Sequence, residues 1–147
     1  MRIEIDQSGK IENTNKPTVI AFSNSKSGTL IISPRDKKQI QNLFRRAGNS
    51  KIFTFKTFAI LIFLLIKENL NRTSQIVIDR EYPGYDKLIK QFILEICLKE
   101  GMKLDPTIIH FSNIGKKSRA HDLAIKSFRK KRGDIKIKYK DFLKVLL

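Results

Sequence analysis

Acidic side chains are scarce in this chain, 14 Asp and Glu against 30 Lys and Arg, and several of them stand where elements end. Asp6 closes the alternating run in IEIDQSG, Asp79 and Glu81 fall at the end of IVIDRE, and His121 and Asp122 sit in the segment AHDLA. Carboxylates gathered from such positions suit a hard divalent cation such as Mg²⁺ or Mn²⁺, which takes oxygen ligands and keeps several waters. Beside a phosphate backbone, ions of this kind help generate hydroxide and stabilise a leaving oxygen. The expected metal ligands are Asp6, Asp79 and Asp122, with His121 as the alternative to Asp122 and Glu81 in reserve. These five form the candidate catalytic set.

Each residue also has a structural explanation. Asp6 suits an Asx-turn in the DQSG bend, and Asp79 suits a cap on the Pro83-Gly84 turn. Asp122 falls in the first turn of a helix, where any carboxylate gains from the macrodipole. His121 can pack near Ala124 and Ile125. Tyr82 and Tyr85, around the Pro-Gly turn, suit either turn packing or stacking on a base. Other chemistries find little here: there is no Gly-rich phosphate loop, no Ser/His/Asp constellation and no cysteine knuckle. Cys97 is the single cysteine, which excludes an intramolecular disulfide.

The elements that must position these residues follow from periodicity. Residues 2–6 alternate as a strand, and 17–23 and 29–32 are β-branched runs joined by a Ser/Asn/Gly loop, so the first three elements read as an antiparallel meander. Ser33-Pro34 has the grammar of a helix start, with a stop near Gly48. Residues 52–70 read as one long helix, apolar through its centre and therefore buried on more than one side. A strand over 75–79, a helix through Leu88 to Cys97 stopped by Gly101, a strand over 107–111 and a basic helix over 118–132 complete the order. Residues 1–132 are expected to form one domain, and 133–147 a short basic extension packed on it, in which 134–147 reads as a strand plus a last helix turn.

At 147 residues and 41% hydrophobic, the chain can bury a single core. Its formal charge of +16 makes nucleic acid the expected partner, ahead of an anionic membrane. The charge is concentrated: from Asn113 onward, twelve basic residues face three acids. Lys116, Lys117, Arg119, Lys126, Arg129, Lys130, Lys131 and Arg132 are the expected phosphate contacts, giving structure-selective and salt-sensitive binding. The longest apolar run, 58–66, is about half a bilayer span. No signal-peptide core is visible, so a cytoplasmic protein is expected.

In element order and in three short motifs, residues 1 to about 132 resemble the ribonuclease H-like superfamily, which includes ribonuclease H, Holliday-junction resolvases, transposases and integrases. IEIDQSG matches the acid of the family's first strand at Asp6, and IVIDRE matches the acid ending its fourth strand at Asp79. AHDLA matches the ligand segment of the last helix, where His121 takes the place usually held by aspartate, as in some resolvases. The resemblance implies an α/β fold with a mixed five-stranded sheet, an antiparallel meander followed by alternating α and β elements, and helices on its faces. It implies a metal-dependent nuclease acting on an RNA/DNA hybrid, structured RNA or branched DNA. One family feature is unmatched: the glutamate early in the long helix is replaced by Lys56 or Thr57, Glu68 lies about three turns on, and Glu81 is the available substitute. A non-catalytic nucleic-acid-binding module on the same fold, or a basic component of a ribonucleoprotein, also suits the sequence.

Overall fold

The computed structural model describes residues Met1–Leu147. Strands β1 (Arg2–Ser8), β2 (Thr18–Ser23) and β3 (Ser27–Ile32) form the expected antiparallel meander, with Ile5 opposite Phe22 and Ile20 opposite Leu30. Strand β4 (Gln75–Asp79) then pairs in parallel with β1, and β5 (Ile109–Ser112) in parallel with β4. The mixed sheet has six strands rather than five. Its order is β5-β4-β1-β2-β3-β6, because β6 (Ile135–Ile137) joins the free edge of β3 in parallel. Residues 133–147 therefore complete the sheet as well as packing on it. Three residues long, β6 takes the start of the alternating IKIKYK run and is followed by a final helix (Tyr139–Leu146), the strand and helix expected of this extension. It forms because an open β3 edge would leave backbone groups unpaired. Gly133 admits it, since a Cβ there would stand 3.1 Å from the Ile31 backbone nitrogen.

Alternation along the strands creates two unlike faces. Ile3, Ile5, Ile20, Leu30, Ile32, Ile76 and Ile78 turn to one side and enter a core of 32 buried residues. Helices α1 (Pro34–Arg46), α2 (Phe53–Ile66), α3 (Asp86–Lys99) and α5 (Tyr139–Leu146) supply most of the rest of it. Helix α2 is apolar around its circumference and has eleven buried residues, each worth roughly 1.5–3 kcal/mol when large and aliphatic or aromatic. The α-helical part is shorter than the expected 52–70: a 3-10 turn (Ser50–Ile52) precedes it and another (Lys67–Arg72) follows. In the second, Leu70 alone is buried, so packing no longer holds the wider helix. Strand β5 likewise starts late, because the Asp105 carboxylate accepts the Thr107 amide at 2.9 Å and caps a 3-10 turn.

The other face carries only helix α4 (Arg119–Lys130), over a small cluster of Val19, Ala21, Ile31 and Ala124. Helix and strand run side by side here. Ser118, the N-cap of α4, donates to Glu4 at 3.0 Å, and at the far end Phe128 lies against Gly9, where a Cβ would come within 2.6 Å of its ring. Gly9 also has φ +81°, so its lack of a side chain is required twice over.

Lys37, although charged, is fully buried. Its Nζ donates to the Lys10 carbonyl (3.1 Å), the Asn13 carbonyl (2.7 Å) and Thr18 Oγ1 (3.0 Å), fastening α1 to the loop between β1 and β2. Three donors meet three acceptors, as a buried ammonium demands. Burial lowers its pKa from 10.5 to about 8. The unfolded chain therefore holds this proton more firmly, so stability rises as pH climbs from about 8 to 10.5 and that gain is absent below 8. Lys37→Met is expected to lose about 1–3 kcal/mol at neutral pH in urea titrations and to lack this alkaline rise. A variant as stable as the parent, with an unchanged alkaline profile, would show that the three hydrogen bonds hold nothing together.

Candidate functional site

Parallel pairing of β1 with β4 sets Ile5 beside Ile78. One step further along the same register, Asp6 comes abreast of Asp79, and the two-residue period turns both away from the main core toward α4. Glu81 returns to them because its amide donates to the Asp79 carbonyl at 2.9 Å, a tight turn at the strand end. Carboxylate oxygens of Asp6, Asp79 and Glu81 lie within 4.8 Å of one another. Asp6 is buried and the other two half-buried.

Each acid is held by its neighbours. Asp6 Oδ1 accepts the Gln7 amide at 2.7 Å, while Oδ2 contacts His121 Nδ1 at 2.8 Å. Asp79 Oδ1 accepts the Ile114 amide at 2.9 Å, drawing the loop after β5 over the strand end. Beneath the turn, the Tyr82 hydroxyl accepts Gln7 Nε2 (3.0 Å) and the Ile11 amide (3.3 Å), and its ring meets Phe55 and Phe58 edge-on. Tyr82 is thus a packing residue. Tyr85 stacks on Phe55 with centroids 4.0 Å apart and remains 46% exposed.

Crowding three carboxyls in a half-buried site opposes full ionisation. Burial raises the pKa of Asp6, with the Gln7 amide and His121 working against it and the Asp79 charge adding to it. Glu81 is pushed up to about 9, first by burial and then by hydrogen bonds and charge from Asp79 and Asp6. At neutral pH, Glu81 holds a proton between two other carboxyls. An all-oxygen donor set of this spacing, with more negative charge than it can keep, fits a hard divalent cation that displaces the proton.

The structure therefore brings together Asp6, Asp79, Glu81 and His121. It does not bring Asp122, which is exposed on α4, so the third carboxylate is Glu81 instead. Successive helix residues diverge by about 100°, and only one of the His121–Asp122 pair can face β1. Asp122 keeps its first-turn position on α4. Helix α2 supplies no acid: Lys56 Nζ lies 5.6 Å over the Phe92 ring, Thr57 is buried, and Glu68 sits in the 3-10 turn beyond the helix. Lys116, Lys117, Arg119, Lys126, Arg129, Lys130, Lys131 and Arg132 are all exposed. Contacts the sequence did not reveal are Glu4 to Ser118 and the Tyr82 hub. The alternation placing Glu4 and Asp6 on one face was the available signal for the first.

No known protein family, curated protein or solved structure matches the chain. No helix is long and apolar enough to cross a membrane.

The proton on Glu81 has a measurable signature. Its folded pKa lies above the ordinary 4.5, so the metal-free protein loses stability as pH rises from about 4.5 toward 9. Glu81→Gln removes that loss. In chelator, the variant is expected to match the parent near pH 4.5 and to exceed it by about 1–2 kcal/mol at pH 8, allowing for solvent screening. Denaturation curves that stay parallel across this range would refute the assignment of that proton to Glu81.

Proposed function

We propose that this chain is a divergent ribonuclease H-like, metal-dependent phosphodiester hydrolase acting on an RNA/DNA hybrid, structured RNA or branched DNA. The observation that carries the reading is the convergence of Asp6 near the end of β1, Asp79 at the end of β4 and Glu81 just beyond it, on two adjacent parallel strands. The β3-β2-β1-β4-β5 portion of the sheet, with its antiparallel and parallel halves joined at β1, supports the proposed relationship, as does His121 of the last basic helix against Asp6. The +16 charge supports a polyanionic substrate.

Asp6, Asp79 and Glu81 would hold Mg²⁺ or Mn²⁺, which when bound supplies activated hydroxide and stabilises the leaving oxygen. The protein's own part is positioning. His121 and the Gln7 amide fix the Asp6 carboxylate from both oxygens, and the Ile114 amide fixes Asp79. Glu81 would give up its proton to such an ion and stand in for the missing acid of the long helix. Exposed cations of α4 and the loop before it hold the phosphate backbone nearby. A non-catalytic binding module is the second reading, favoured by the absence of any carboxylate from α2.

Asp6→Asn separates the two. Across a substrate panel with Mg²⁺ or Mn²⁺, the variant is expected to lose at least about a hundredfold in cleavage rate, the scale of a lost metal or charge-stabilising group. Binding in chelator should be retained. Equal cleavage by both proteins would reject the site, and no cleavage by either would favour the binding module.

A further inference from the structure

Beyond the carboxylates, the basic residues are not spread evenly over α4. A groove of about 620 Å³ lies where the C-terminal end of this helix meets the β1–β2 loop, the start of α1 and β6. Lys16, Arg129, Lys131 and Lys136 line it, and no acid does. The neighbouring cavity at Lys126, Lys130 and Arg132 differs, because Asp134 shares it and is hydrogen-bonded to Thr29. Four cations drawn from three separate segments repel one another, an arrangement that a bound polyanion relieves.

The groove is rigidly built. Phe128 forms part of its wall and is seated on Gly9, and the loop bearing Lys16 is fastened from below by Lys37. Lys131 caps α4 in the left-handed region, φ 55°, the position where glycine is usual. It is the one non-glycine residue with positive φ. A cation occupies a costly backbone position and lines the groove.

We propose that this groove is a second phosphate-backbone site, which grips a nucleic-acid strand several nucleotides from the bond at the carboxylates. Its register, though not its binding, rests on the hydrolytic reading of Asp6, Asp79 and Glu81. Helix α4 sets the spacing: from His121 at Asp6 to Arg129 in the groove, at about 1.5 Å per residue, is about 12 Å. At about 3.4 Å of duplex axis per nucleotide, that is three to four positions along one strand.

The test is binding of a fluorescein-labelled RNA/DNA hybrid duplex by anisotropy in chelator, over a salt series. Proteins compared are the parent, a groove variant (Lys16→Gln, Arg129→Gln, Lys131→Gln, Lys136→Gln), an equal-charge control on the opposite side of the sheet (Lys38→Gln, Arg45→Gln, Arg46→Gln, Lys51→Gln) and Asp6→Asn. All eight basic positions are exposed, and circular dichroism melts check that folding is kept. The groove variant is expected to flatten the log–log salt slope by about 3 and to weaken binding about tenfold or more at physiological salt. The control should change the slope by less than about 1, and Asp6→Asn should keep it. A groove variant with the parental slope, or a control that loses as much, overturns the proposal. So does a parent that does not bind the duplex. If the groove variant binds weakly while Asp6→Asn cleaves like the parent, the hydrolytic reading fails and the groove stands.

Discussion

Parallel hydrogen bonding between β1 and β4 is the interaction on which the rest of this molecule depends. It joins the antiparallel meander to the later α/β elements, and it makes β1 an interior strand with a partner on each side. It also fixes the site, because the register matching Ile5 with Ile78 is what sets Asp6 beside Asp79. A slip of one residue would turn one of these acids into the apolar core. Hydrophobic demand on one face therefore dictates carboxylate pairing on the other.

The two faces divide the work. One side holds the large core, dominated by α2, and supplies most of the stability. The other has one helix and a small apolar cluster, leaving room for charged groups at the strand ends. Placing three carboxyls there is unfavourable without a cation, since burial and the neighbouring Asp79 and Asp6 raise the pKa of Glu81. The polar face can carry this cost because little of the hydrophobic packing rests on it. Anchoring of α4 by Glu4 and Asp6, both on β1, keeps the helix in place despite its sparse apolar contacts.

Charge follows the same division. Acids concentrate at the β1 and β4 ends, while the far end of α4, the β1–β2 loop and β6 present cations without a compensating carboxylate. Helix α4 runs from one region to the other, and Lys37 beneath the β1–β2 loop fastens the loop at the cationic end.

By itself, the amino-acid sequence determined the meander, the helices that follow it and the strand-end acids, because apolar alternation, the Ser33-Pro34 start and the breaks at Gly48, Pro83-Gly84 and Gly101 are local signals. It also determined that the protein carries a strong positive field. Tertiary structure alone decided that Glu81 and not Asp122 joins Asp6 and Asp79, since a tight turn at β4 and the rotation of α4 settle which side chains meet. It decided that the IKI strand joins the β3 edge in parallel and so makes the sheet six-stranded. It decided that Lys37 is interior, and that Lys16, Arg129, Lys131 and Lys136 share one groove. Each of these depends on contacts between residues far apart in the chain, which no local period or spacing encodes.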